Sequence, residues 1–129
     1  MRKHFLMLCA CVCWCSIGLF AQKEGAMTQN LQVRCVAFYN LENLFDTIHD
    51  EGKNDYEYLP DGGMKWTGHK YVNKVKNMAY AISQLGTDID PRGAMIVGVA
   101  EVENMRCLQD VADQLKEHNR NYTPVLEEG

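Results

Sequence analysis

The sequence predicts an α/β domain, and three observations carry that reading. Two apolar runs, residues 33–39 (apart from Arg34) and 94–100, show no polar face and read as strands buried on both sides. Two other stretches, residues 68–85 and 105–118, have apolar residues at helical spacing. With an extended run at 122–126, the order is strand–helix–strand–helix–strand, the alternation of an α/β fold.

The domain does not begin at residue 1. Arg2, Lys3 and His4 form a positive lead, residues 5–20 are apolar, and Ala21-Gln22 is the expected cleavage point of a signal peptide over residues 1–21. Leu19 is large for the position three before the cut, so an uncleaved anchor is the alternative. A lipoprotein cysteine within Leu8-Cys9-Ala10-Cys11 would leave almost no apolar stretch ahead of it. The expected destination is the periplasm or the extracellular space. With the leader removed, no membrane-spanning segment remains, and no specific protein partner is indicated.

Cleavage also changes the balance of charge and thiols. Loss of Arg2 and Lys3 leaves eleven basic against seventeen acidic residues, a net charge of −6. That excludes broad electrostatic capture of nucleic acid, which needs a basic footprint. It leaves open catalysis on a phosphate through a metal. Cys9, Cys11, Cys13 and Cys15 depart with the leader, so Cys35 and Cys107 remain, and two buried free thiols are expected. Residues 22–31 are a polar linker.

The first strand ends on Asn40, followed by Leu41-Glu42-Asn43-Leu44-Phe45-Asp46. Asparagine favours strand exits, and on that preference alone Asn40 reads as a turn residue. Residues 47–67 form a long polar loop containing Asp50, Glu51, Asp55, Glu57 and Asp61. Calcium-loop spacing is absent, so a solvated loop is expected, with Tyr56, Tyr58 and Trp66 pinning it to the body.

In the first helix, Tyr71, Val75, Met78, Ile82 and Leu85 make the apolar stripe; Thr67 caps its start and Gly86 supplies a left-handed stop. Lys70, Lys74, Lys76 and Asn77 are assigned to solvent. Residues 94–104 then read AMIVGVAEVEN. The strand runs straight into Glu101, which must meet solvent or a cation because an acid buried alone is costly. Glu103 reads as helix first-turn charge and Asn104 as the cap of the second helix. Leu108, Val111, Ala112 and Leu115 form that helix's stripe. If the two strands are neighbours, Asn40 and Glu101 share one rim of the sheet, where α/β folds meet ligand.

Asn40 at one strand end, and Glu101 within GVAEVEN at the next, resemble the endonuclease/exonuclease/phosphatase superfamily, the DNase I-like fold. The YNLENLFD stretch and the spaced Trp66, Tyr71 and Lys74 look like its secreted bacterial members. The resemblance covers residues 32–129. It implies the N-terminal portion of a four-layer α/β sandwich, incomplete in these residues. It also implies divalent-metal-dependent hydrolysis of a phosphate ester. By the same resemblance, Glu101 ligates Mg²⁺ or Mn²⁺, and Asn40 lies beside the metal and the scissile phosphate.

The family's central Asp–Asn pair and its late Asp–His pair have no counterparts here. His49, His69 and His118 fall in a loop and at helix ends. The chain is therefore expected to be the N-terminal part of a longer protein and not to turn over alone. The DNase I branch carries a basic residue where this chain has Glu103, which together with the net charge counts against duplex DNA. RNA, nucleotides and phospholipid headgroups remain as substrate classes. A non-catalytic α/β module, truncated or a pseudo-enzyme, is the other class of function.

Overall fold

A computed structural model describes residues 32–127. The expected signal peptide and the whole of the linker lie outside those residues. Two strands and two helices are present: β1, Cys35–Leu44; α1, Gly68–Gln84; β2, Ala94–Val102; and α2, Met105–Lys116. A single 3-10 turn, Tyr56–Tyr58, interrupts the long loop. No helix among the described residues is long and apolar enough to cross a membrane.

β1 and β2 pair in parallel, with Val36 opposite Ile96, Phe38 opposite Gly98 and Asn40 opposite Ala100. The helices start and stop where their caps require. Thr67 accepts a hydrogen bond from the Lys70 N–H at 3.5 Å, and Asn104 Oδ1 accepts from the Cys107 N–H at 3.0 Å. Gly86, just past the Leu85 that caps the end of α1, has φ of 73°, the left-handed turn that lets the chain leave the helix. There it lies against Cys35, so close that an added Cβ would stand 2.5 Å from that sulfur. Asp90 fixes the connection into β2. Its carboxylate accepts from the Arg92 N–H and guanidinium and from Arg34, which brings in the chain leading to β1.

Both helices pack on one face of the sheet. The core joins Leu41 and Leu44 of β1, Val75, Ala79 and Ile82 of α1, and Cys107, Val111 and Leu115 of α2, with Tyr39, Val97 and Val99 from the same sheet face against it. This corrects the expectation that both strands are buried on both sides. Val36 is 67% exposed, Phe38 69% and Ile96 55%. An uninterrupted apolar run calls for two covers, and among the described residues only one face has one.

The expected third strand is also corrected. Residues 122–126 form no regular structure. Pro124 has no N–H to donate in the middle of that run. The segment is tied to β2 through a side chain instead, the Tyr122 hydroxyl donating to the Ala94 carbonyl at 2.6 Å.

The loop is not solvated throughout, as the sequence suggested. Asp46, at its start, and Asp55 are buried. Two of the three expected aromatic pins hold: Tyr58 stacks on Phe45 at 4.0 Å, and the Trp66 indole donates to the Phe45 carbonyl at 2.8 Å, whereas Tyr56 is exposed and stacks on His49 within the loop itself. Cys35 and Cys107 are both free thiols. Cys107 is buried, and that burial pushes its thiol up to about 12.

Candidate functional site

Parallel pairing brings the C-terminal ends of β1 and β2 to one rim. Asn40 Nδ2 donates to Glu101 Oε1 at 2.9 Å there. The shared rim expected from the two apolar runs is therefore a direct contact. Asn40 does not end its strand, however. β1 takes four steps from Asn40 to Leu44 where β2 takes two from Ala100 to Val102, so β1 bulges at this point. Bulges of this kind re-aim groups beside functional sites.

The bulge has a definite mechanism. Leu41 and Leu44 are fully buried and anchor its two ends in the core. Between them Glu42 and Asn43 take φ of 51° and 56°, and opposite them Glu101 takes 59°. Each such residue costs about 1–2 kcal/mol against the ordinary backbone. Local hydrogen bonds offset that cost. Asn40 Oδ1 accepts from the Glu42 N–H at 2.7 Å, and the Asn43 N–H donates to Glu101 Oε2 at 3.1 Å. The Lys74 ammonium, reaching over from α1, donates to the Glu42 carbonyl and to the Asn43 carbonyl.

This network settles the Asn40 amide. A backbone N–H can only donate, so the oxygen faces Glu42 and the NH₂ faces Glu101. One amide hydrogen is left for another acceptor. Each Glu101 oxygen takes one hydrogen bond and keeps a lone pair, and the residue is exposed. A hard, exposed carboxylate held from behind fits an ion such as Mg²⁺, which takes oxygen ligands and retains several waters. The Lys74 ammonium beside it is held below the usual lysine value by burial, against the opposing pull of Glu42 and Glu101. Its nitrogen also stands 5.5 Å from the Trp66 ring, a cation–π contact.

A second group of acids lies near the start of α2. Ligand atoms of Asp46, Glu103 and Cys107 come within 4.8 Å of one another. These atoms are already committed. Asp46 Oδ2 accepts from Arg106 Nε at 2.6 Å and from Asn104 Nδ2 at 3.3 Å, while Oδ1 accepts from the Ile48 N–H at 2.7 Å. Glu103 Oε2 accepts from the Asp46 N–H at 3.0 Å. Arg106 also donates to Asp50 at 3.1 Å. The guanidinium supplies the positive charge that a metal would bring, and the acid oxygens already hold donors, so this cluster fits a structural lock better than a cation site. Glu103 thus differs from the expected first-turn helix charge. It lies before the cap, and burial raises its carboxyl above the ordinary value.

The three histidines among the described residues are engaged away from the rim. His49 Nδ1 pairs with Asp55, His69 lies 3.3 Å from the Asn73 amide, and His118 packs edge-on to Tyr80. Three contributors to the two networks have no site role in the sequence reading: Asn43, Lys74 and Arg106. For Lys74 a signal was present. It stands three residues after Tyr71 and four before Met78, on the buried stripe of α1.

A family model described as the Endonuclease/Exonuclease/phosphatase family matches residues 35–128. No curated protein and no solved structure matches the chain.

Proposed function

Because this chain belongs to the endonuclease/exonuclease/phosphatase family, whose members act on phosphate esters, we propose that its strand-end rim is the cation and phosphate site of a phosphoester hydrolase. Glu101 is the ligand of a divalent cation, Mg²⁺ or Mn²⁺. Asn40 orients that carboxylate with one amide hydrogen and offers the other to a phosphate oxygen. The carrying observation is Glu101 in a left-handed conformation, its carboxylate held between the Asn40 amide and the Asn43 N–H. Such strain at a strand end is retained where a side chain must point away from the pleat.

When bound, a divalent ion neutralises phosphoryl oxygens and stabilises charge on the leaving oxygen. This chain's own residues bind and orient. Glu101 presents an anion on the solvent side of the rim, Asn40 fixes its rotamer, and the bulge keeps the Asn43 N–H aimed at the second oxygen. Glu103 is turned inward to Asp46, so its charge is not presented to substrate at the rim. The substrate class is a phosphate ester: nucleic acid, nucleotide or phospholipid headgroup. We also propose export with cleavage after residue 21, supported by the charge and hydropathy pattern of residues 1–21; a mature chain starting at Gln22 by mass spectrometry is expected, and an intact Met1 would refute the cleavage.

The two roles separate in a binding experiment. In calorimetric titrations of the full chain, Glu101→Gln loses Mn²⁺ binding. Asn40→Ala retains Mn²⁺ at reduced affinity but no longer binds inorganic phosphate in the presence of Mn²⁺. Unchanged Mn²⁺ affinity in Glu101→Gln would remove Glu101 from the site.

A further inference from the structure

The Lys74 ammonium reaches out of α1 to the bulge, and this contact joins three parts of the molecule. The nitrogen donates to the Glu42 and Asn43 carbonyls, both belonging to left-handed residues, at the point where β1 departs from regular pairing. The stem lies on the buried stripe of α1 and the charge sits near Trp66, whose indole is itself fixed on the Phe45 carbonyl. A bulge with two residues at positive φ exposes carbonyls that the neighbouring strand cannot satisfy. Lys74 donates to both the Glu42 and the Asn43 carbonyls, the latter shared with the Phe45 N–H at 3.0 Å.

We propose that Lys74 is a positioning residue: by clamping the Glu42 and Asn43 carbonyls it holds the bulge in the conformation that aims the Asn43 N–H at Glu101, and so sets the geometry of the cation ligand. The proposal rests on the reading of Glu101 as that ligand. It assigns Lys74 no contact with substrate. Its sign is opposite to that of simple electrostatics. An ammonium near Glu101 repels a divalent cation, so charge alone predicts tighter cation binding once the lysine is gone. Positioning predicts weaker binding, about tenfold, the lower end of what loss of an outer partner of a metal ligand costs.

The test uses the full chain with Lys74→Met, which keeps most of the stem, and Lys74→Arg, which keeps charge and donors. Two readouts are taken: Mn²⁺ affinity by calorimetry, and the Glu42 and Asn43 amide resonances and exchange rates in metal-free protein. Lys74→Met is expected to bind Mn²⁺ about tenfold more weakly and to shift and deprotect the Asn43 amide, with Lys74→Arg restoring both. Equal or tighter Mn²⁺ binding by Lys74→Met overturns the proposal. An unmoved Asn43 amide in the metal-free variant also overturns it, whatever happens to metal. Failure of the reading beneath it looks different: Glu101→Gln then binds Mn²⁺ as wild type does, while the amide readout still judges Lys74. Should Lys74→Met not fold, the same two readouts are taken on Lys74→Gln, whose shorter, uncharged side chain cannot reach both carbonyls: a shifted Asn43 amide with weaker Mn²⁺ binding supports the clamp, and a wild-type Asn43 amide refutes it.

Discussion

Replacing Arg106 by methionine tests how the long acidic loop is held. Asp46 is 5% exposed and its Oδ2 lies 2.6 Å from Arg106 Nε, whereas the Asp50 bond to the same guanidinium is 3.1 Å and in partial contact with water. A hydrogen bond to a charged group contributes about 1.5–3 kcal/mol. Arg106 is 45% exposed, so solvent screening sets the Asp46 contribution near the middle of that range, ~2 kcal/mol. The Asp50 bond is a surface pair and adds little. Methionine retains the apolar stem, so lost packing is small. The expected loss is therefore ~2 kcal/mol. Urea unfolding followed by circular dichroism would show it as a lower midpoint with an unchanged slope. A cycle with Asp46→Asn should return a coupling above ~1 kcal/mol, since the two residues share one contact. A destabilisation below ~0.5 kcal/mol, with no coupling, would refute the assignment of Arg106 as the cation of this cluster.

Further outcomes follow from other positions. Gly86→Ala meets both a left-handed φ and the Cys35 sulfur and should cost at least ~2 kcal/mol, while Gly52→Ala, at φ of 81° with nothing within 4 Å, should cost only ~1 kcal/mol; equal losses in thermal unfolding would contradict the packing assigned to Gly86. Glu103 has its carboxyl raised above 4.5 in the folded chain by burial, so the fold binds that proton more tightly than the unfolded chain does. Its contribution is full below 4.5 and falls as pH rises through the higher folded value. Glu103→Gln should therefore flatten the decline of stability on the neutral side of pH 4.5, and an unchanged profile would oppose this. Asp50, Asp55 and Asp90 are shifted the other way. Hydrogen bonds from Asn104 to Asp50, from the Asp50 N–H to Asp55 and from Arg92 to Asp90 lower them, Asp90 to about 2. The stability they contribute is present above 3.8 and should be lost as pH falls through the lowered values; Asp90→Asn should remove its share of that acid limb.

Much of the scaffold could be read from the residues because it rests on local rules. Thr67 and Asn104 cap helices because their side chains reach back to nearby N–H groups, and Gly86 ends α1 because few other residues take its φ. The shared rim of Asn40 and Glu101 followed from two apolar runs ending in polar residues. What stayed hidden depends on register. Nothing in Leu41-Glu42-Asn43-Leu44 announces that β1 takes two extra residues there, because the bulge exists only relative to β2. The same gap hid the Asn43 N–H as a partner of Glu101 and made Lys74 one more surface lysine.

Two other misreadings have separate physical sources. Asp46 and Asp55 look soluble one by one. Their burial is tolerated because donors arrive from far along the chain, Arg106 and Asn104 for Asp46, and from His49 and the Asp50 N–H for Asp55. The run at 122–126 has the composition of a strand, but Pro124 interrupts its donors. The family match supports the reading of the fold as α/β of the DNase I-like kind, and the described residues make up its β–α–β–α part.

The proposed site puts a divalent cation at Glu101 and not among the acids at the start of α2. Paramagnetic broadening of amide resonances by substoichiometric Mn²⁺ locates the ion directly. With the ion at Glu101, the Asn43, Glu101 and Val102 amides broaden first, and Glu101→Gln abolishes the effect. Broadening centred on Asp50, Glu103 and Cys107, and unaffected by Glu101→Gln, would contradict it.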